Sequence, residues 1–446
     1  MDTPIFDFVK SYSAKNSVRL HMPGHKGKGA LGVENMDITE IDGADSLFHA
    51  DGIIQKSQNN AGDIFGARTF YSAEGSSLSI KAMLYLTFKF AKKKGVKPLI
   101  LAGRNAHKSF INAAALIDFD IAWLYPKNND GYLSCNVDAA TVSNALKNME
   151  EKPVAVYLTS PDYTGNVLDI EKIAKVCAKF DVFLLVDNAH GSYLKFLEKS
   201  LHPIDLGATM CCDSAHKTLP ALTGASYLHV SKNAPQEFYT SAKNAMSIFA
   251  STSPSYLILQ SLDLLNKYLF NDCAKHLKKS IKLIDALKAR LIERGYTLVG
   301  SEPLKLTINT LSFGYSGYEF NNLLQKNGIV CEFYDPELVV FMFGTDTQDS
   351  VILELERVLT SIKKNNTCFV SAPSPTIPKI AMSAREACFA PSKTINVCNA
   401  MGAILSDVSV SCPPAVPIVM CGEIIDERVI ECLKYYKINT VNVVDK

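Results

Sequence analysis

Residues 182–193 read VFLLVDNAHGSY, and the reading of this stretch decides the fold. An unbroken apolar run ending in Asp187 predicts a strand covered on both faces, because a strand with one wet face would alternate polar and apolar residues. Similar runs recur as KPLILAG (97–103), PVAVYLT (153–159), TMCCDSA (209–215) and ASYLHV (225–230). Helical stretches such as SSLSIKAMLYLTFKFAKKKG (76–95) separate them. Strands and helices in alternation predict an α/β domain over residues 56–255, with a mainly parallel sheet.

Outward from this domain, residues 1–55 read as a Gly- and His-rich N-terminal arm with little periodicity. Residues 256–294 show helical apolar spacing and predict linking helices, 295–365 a smaller α+β domain, and 366–446 a final Pro-marked segment. The glycines near Lys28 do not make a phosphate loop of the Walker type, since Gly29 stands where Ser or Thr is needed. With 46 basic and 45 acidic residues the formal net charge is +1, which gives no electrostatic grip on nucleic acid or an anionic membrane. No apolar run approaches membrane-spanning length and the N-terminus lacks a leader pattern, so a cytoplasmic protein is expected. Of twelve cysteines only Cys211 and Cys212 are close together, with no C-x-x-C spacing. Small core residues in a reducing compartment are therefore expected, and no metal site.

Four elements carry chemistry. Asp187 ends an apolar strand, at the edge where open α/β sheets bind ligands, although a carboxylate there also suits a helix cap. His190 follows three residues later. Lys217 follows the run TMCCDSA, bracketed by Ser214 and His216; a lysine desolvated beside such groups becomes a nucleophilic amine able to form a Schiff base. Gly75, Ser76 and Ser77 open a helix, as an anion site does and as an ordinary Ser cap does. His107, just after a strand, either stacks on a flat ring or packs in a polar loop. One ligand with a phosphate, a basic ring nitrogen and an aldehyde satisfies all four, and pyridoxal 5'-phosphate is such a ligand. The spacing Ser214-x-x-Lys217 also fits a serine acylase, but the S-D-N and K-T-G partners of that site are missing.

At this density of motifs the chain resembles the compact bacterial ornithine, lysine and arginine decarboxylases, which are fold-type I, aspartate aminotransferase-like pyridoxal phosphate enzymes. The resemblance runs through LHMPGHKG (20–27), DITEIDGADSLFHADGII (37–54), FGARTFYSAEGSS (65–77), RNAHKS (104–109), VDNAHGS (186–192), SAHKTLPALTG (214–224), STSPSY (251–256), REACFAPS (385–392) and PPAVPIVMCGE (413–423). It implies Lys217 as the Schiff-base lysine, Asp187 as partner of the pyridinium nitrogen and His107 as the stacking imidazole. Gly75, Ser76, Ser77, Ser214 and His216 would form the phosphate-binding set, with His190 near the ring. Ser251 and Thr252 would reach the phosphate of a partner subunit, which implies a homodimer or larger homo-oligomer with shared active sites. Two places depart from the family pattern. Ala73-Glu74 replaces the common Val-Asn, and a carboxylate beside a phosphate must be paired or turned away. Cys412 and Ala415 depart from the usual Tyr-Pro-Pro-Gly.

The activity implied is decarboxylation of arginine, lysine or ornithine to the corresponding amine, with Lys217 or His190 returning a proton to the α-carbon. An aminotransferase or carbon–sulfur lyase would use the same cofactor groups, and a non-catalytic binding paralogue would need none of them. A distal substrate cation asks for carboxylates, for which Glu332 and Asp335 are candidates, a surface acidic turn being the other reading of each.

Overall fold

The computed structural model describes residues 1–126, 131–374, 377–408 and 415–445, and Cys412 lies outside them. Thirteen strands follow one another along the described chain: β1 (Arg68–Ser72), β2 (Leu99–Gly103), β3 (Asp120–Leu124), β4 (Ala155–Thr159), β5 (Phe183–Asp187), β6 (Met210–Asp213), β7 (Ser226–Val230), β8 (Thr297–Val299), β9 (Lys305–Asn309), β10 (Phe333–Tyr334), β11 (Leu338–Met342), β12 (Ser392–Asn396) and β13 (Thr440–Val444). The chain forms two compact units. The first comprises Met1–Lys93, Phe183–Lys278 and Gly344–Asp346, and the second Lys94–Val182, Lys279–Phe343 and Thr347–Lys446.

In the first unit four strands lie in the order β1-β7-β6-β5. The β5 and β6 strands are parallel, with Asp187 opposite Cys212. The β7 strand runs antiparallel to both β6 and β1. All residues of β6 and β7 are buried, as their continuous apolar runs predict. The helix Ile53–Phe65 packs beside β1 and stops at Gly66, whose φ of +71° is left-handed and free of Cβ strain only in glycine. The arm, which shows little periodicity in sequence, contains the helix Pro4–Ala14. Its start has no cap of its own; the Asp263 carboxylate accepts the Ile5 and Phe6 N–H groups at 2.8 and 3.0 Å instead. The linking segment forms the helices Tyr256–Asn271 and Cys273–Glu293.

In the second unit β2 lies between β4 and β3, parallel to both. The helix Ile170–Lys179 buries Ile170, Ile173, Ala174 and Cys177, one face at helical spacing, and Asp169 caps it by accepting the Lys172 N–H. A separate four-stranded antiparallel sheet has the order β10-β11-β9-β8, and β12 pairs with β13. Among the described residues no helix is long and apolar enough to cross a membrane.

Candidate active site

The parallel pairing of β5 and β6 delivers both chains to the same sheet edge in the first unit. Asp187 is the last residue of β5 and is buried. Its Oδ1 accepts the Ala189 N–H at 3.2 Å and the Cys212 thiol at 3.5 Å. The next helical turn, Ser192–Phe196, has no side-chain cap, so Asp187 is not spent on capping. After it the chain turns at Asn188–Gly191, and the buried His190 faces the chain that leaves β6.

That chain enters a single helical turn, Ala215–Thr218, which carries Lys217. Lys217 Nζ lies 2.7 Å from His190 Nε2, so ammonium and imidazole share one proton at hydrogen-bond distance. His216 points elsewhere: its Nδ1 lies 2.9 Å from the Ala225 carbonyl. Burial lowers its pKa, and the neighbouring Lys217 charge adds to that effect.

The residue before the turn ties this edge to the glycine corner. Ser214, itself buried, donates its hydroxyl to Ser76 Oγ at 2.8 Å, and Ser76 starts the helix Ser76–Lys94. Gly75 holds φ +69° and its N–H bonds the Gly224 carbonyl at 2.8 Å. A Cβ on Gly75 would meet nothing within 4 Å, so space opens at the helix start, whereas one on Gly224 would stand 2.9 Å from the Ala73 carbonyl. Ser77, half-buried, follows Ser76 in the same first turn. The structure thus gathers Gly75, Ser76, Ser77, Asp187, His190, Ser214, His216 and Lys217 in one unit.

Glu74 resolves the question its sequence raises. Its Oε1 accepts the Ser251 N–H at 2.7 Å, so the carboxylate is engaged and anchors the exposed Ser251-Thr252 segment beside the glycine corner.

His107 belongs to the second unit. It follows β2 and caps the helix Lys108–Ile117, its Nδ1 accepting the Ser109 N–H at 3.1 Å. Ala415 accepts the Lys108 N–H and holds φ +59°, a left-handed conformation that only glycine adopts without strain. Glu332 and Asp335, also in the second unit, do not converge on one cavity. Glu332 is exposed, accepts the Tyr163 hydroxyl at 3.0 Å and borders a cavity of about 640 Å³ with Cys331, Phe341 and Glu354. Asp335 is buried, closes a tight turn by accepting the Glu337 and Leu338 N–H groups, and borders a cavity of about 690 Å³ with Tyr132, Asn166, Asn309 and Tyr436. Burial pushes the Asp335 carboxyl up to about 6.

Sequence reading passes over a group of polar residues behind this edge: Asn188, His202, Asp213 and His229, all fully buried. The signal present in sequence is an ionisable residue in the middle of an apolar run, CCDSA (211–215).

Comparison with known proteins identifies the family. Residues 3–300 match the family model described as Orn/Lys/Arg decarboxylase, major domain. An arginine decarboxylase of Halalkalibacterium halodurans is 29% identical, over 95% of this chain and 91% of that protein. One of Bacillus subtilis is 28% identical, over 96% and 92%. The crystal structure of the Francisella novicida lysine decarboxylase LdcF superposes with a TM-score of 0.80 at 16% identity, covering 99% of this chain and 81% of that one. The chain therefore belongs to the Orn/Lys/Arg decarboxylase family, an amino-acid decarboxylase on the scaffold of the fold-type I enzymes.

Proposed function

We propose that the protein decarboxylates a basic amino acid, releasing the corresponding amine and carbon dioxide, with pyridoxal 5'-phosphate as its cofactor. The observation that carries this reading is the 2.7 Å approach of Lys217 Nζ to His190 Nε2, beside a buried carboxylate at the end of the adjoining strand. The residues fit the cofactor. The Gly75 corner offers open space at a helix start, where Ser76 and Ser214 present joined hydroxyls for a phosphate. Asp187 supplies a buried anion for a protonated ring nitrogen, and Lys217 the amine for an aldehyde. His107 is the imidazole proposed to cover the ring. Pyridoxal phosphate, when bound, supplies an electron sink for the charge left at the α-carbon.

The remaining work falls to the protein. His190 holds or releases the proton it shares with Lys217, which makes the pair a general acid for the α-carbon. His190 is buried and Lys217 half-buried, which limits the access of water to that proton. Ser251 and Thr252, exposed and anchored through Glu74, are proposed to reach the phosphate held by a second copy of the chain, giving a homodimer with shared sites. Among the three basic amino acids, the relatives named arginine decarboxylase support arginine.

The test is to incubate purified, cofactor-loaded protein with arginine, lysine and ornithine in turn and identify the products by mass. Amine and carbon dioxide support the reading. A keto acid with no carbon dioxide overturns it. Borohydride should fix the cofactor on a peptide containing Lys217, and label on another lysine removes that residue's role.

A further inference from the structure

We propose that Asp213 is a positioning residue, a buried anion in a polar chain that crosses the strands of the first unit and locks the strand ends bearing Asp187 and Lys217. This rests on the cofactor roles proposed for those two residues. The chain follows the strand order. On β1, Thr69 Oγ1 lies 2.9 Å from Nδ1 of His229, its register partner on β7. His229 Nε2 lies 3.3 Å from Asp213 Oδ2 on β6, and His202 Nε2 lies 3.1 Å from the same oxygen. Asp213 Oδ1 accepts the Asn188 side-chain N–H at 2.6 Å, one residue beyond the end of β5.

The position of this last bond gives it its consequence. The ladder between β5 and β6 ends at Asp187 opposite Cys212, after which the two chains turn toward His190 and Lys217. Asn188 and Asp213 are the next residue on each strand, so their bond is the first side-chain tie past the ladder. An apolar residue would complete β6 as Cys211 and Cys212 do, without the cost of desolvating an ion. A carboxylate with no exposed surface persists there because the His202 imidazole and the Asn188 amide hydrogen-bond it, with the His229 ring close by. Burial alone would raise its pKa, but the two neighbouring imidazole rings, His202 and His229, outweigh burial and hold Asp213 well below the ordinary carboxylate range. Phe65 closes the group from the helix side, its ring 4.4 Å from that of His229.

The experiment compares wild type with Asp213→Asn, which removes the charge, and with Asn188→Ala, which removes only the tie and spares the buried ion cluster. Amide hydrogen exchange is read by mass spectrometry on the full chain with and without added pyridoxal phosphate. Both variants should exchange about tenfold faster in peptides covering 186–192 and 211–219, with 305–309 in the second unit unchanged. In the cofactor-loaded form the pH midpoint of the absorbance band should move and cofactor should be lost faster on dialysis. The kcat should fall while KM stays within about twofold. Uniform acceleration across the chain with an unchanged spectrum reduces Asp213 to a stability role, and wild-type behaviour of Asn188→Ala overturns the tie. One equivalent of metal in the purified protein also overturns it, since His202, Cys211 and Asp213 place donor atoms within 4.8 Å of one another. If wild type takes up no pyridoxal phosphate, the cofactor reading fails, and exchange in the unloaded chain still decides the tie.

Discussion

Lys217 and His190 stand 27 residues apart in sequence and 2.7 Å apart in space, amine to imidazole. The pairing follows from two parallel strands that end side by side and turn the same way. It sets the chemistry expected of the site, because a lysine that must act as a nucleophile needs a neighbour to take its proton.

His190→Gln keeps a polar side chain but removes the ring nitrogen. Turnover should fall by roughly 10² to 10⁴-fold, the usual loss when a positioned acid or base is removed. Borohydride trapping on Lys217 should persist. Unchanged kcat measured by amine release would take His190 out of the proton path.

Asp187→Ala deletes the buried anion at the end of β5. Loss of one preorganised charge costs on the order of 10² to 10³ in rate, and the loss here should be at least that, since the ring nitrogen would no longer be held protonated. The assay is turnover at saturating cofactor. Near-normal rates there would contradict the assignment.

Glu74→Ala frees the segment carrying Ser251 and Thr252, whereas Glu74→Gln retains an acceptor oxygen for the Ser251 N–H. At about 0.5–1.5 kcal/mol for one hydrogen bond, cofactor affinity should weaken a few-fold in the first variant and hold in the second. Equilibrium dialysis reads the difference, and equal affinities would show that the anchor is idle.

A mixture of Lys217→Ala and Thr252→Glu chains, each inactive alone, tests the shared site. After subunit exchange one composite site carries both defects and the other neither, so activity should recover to roughly a quarter to a half of wild type. No recovery after verified exchange, or an active monomer in sedimentation, rules the arrangement out.

Asp263 predicts an unusual pH dependence. Burial pushes its carboxyl up to about 6, although Ser57 and the Ile5 and Phe6 N–H groups oppose the shift. The unfolded chain loses this proton near 3.8 and the folded chain keeps it to about 6. The folded state therefore binds the extra proton, and stability falls as pH rises through that window and stays lowered above it. The separation between 3.8 and about 6 corresponds to roughly 3 kcal/mol. Urea titrations of wild type and Asp263→Asn at pH 4.5 and 7 should show the gap between them changing in that direction; a constant gap would remove Asp263 as the cause.

The strands set in largely apolar runs were legible: β2, β4, β5, β6 and β7 all fall within the stretches that read as buried strand. Two were not. The β1 strand is RTFYS and opens on the exposed Arg68, while β3 is DIAWL and only its last residue is buried. The β1 strand buries its other four residues but two of them are the polar Thr69 and Ser72, and β3 is mostly half-buried, so neither carries a continuous apolar signal. The helix at 4–14 was hidden for another reason, since the carboxylate that caps it lies 258 residues away at Asp263.

What the sequence by itself determined is local: the alternation of strand and helix, the placing of Asp187 and Lys217 at strand ends, and the glycine corner before Ser76. Each depends on periodicity or backbone preference within a few residues. Only the tertiary structure decided that His190 meets Lys217, that Glu74 turns to Ser251, that Glu332 and Asp335 border different cavities, and that Asp213 joins Asn188 across two strands. Those relationships depend on strand order and direction, and hydrogen bonds between distant residues exist only once packing has removed water and set their separation.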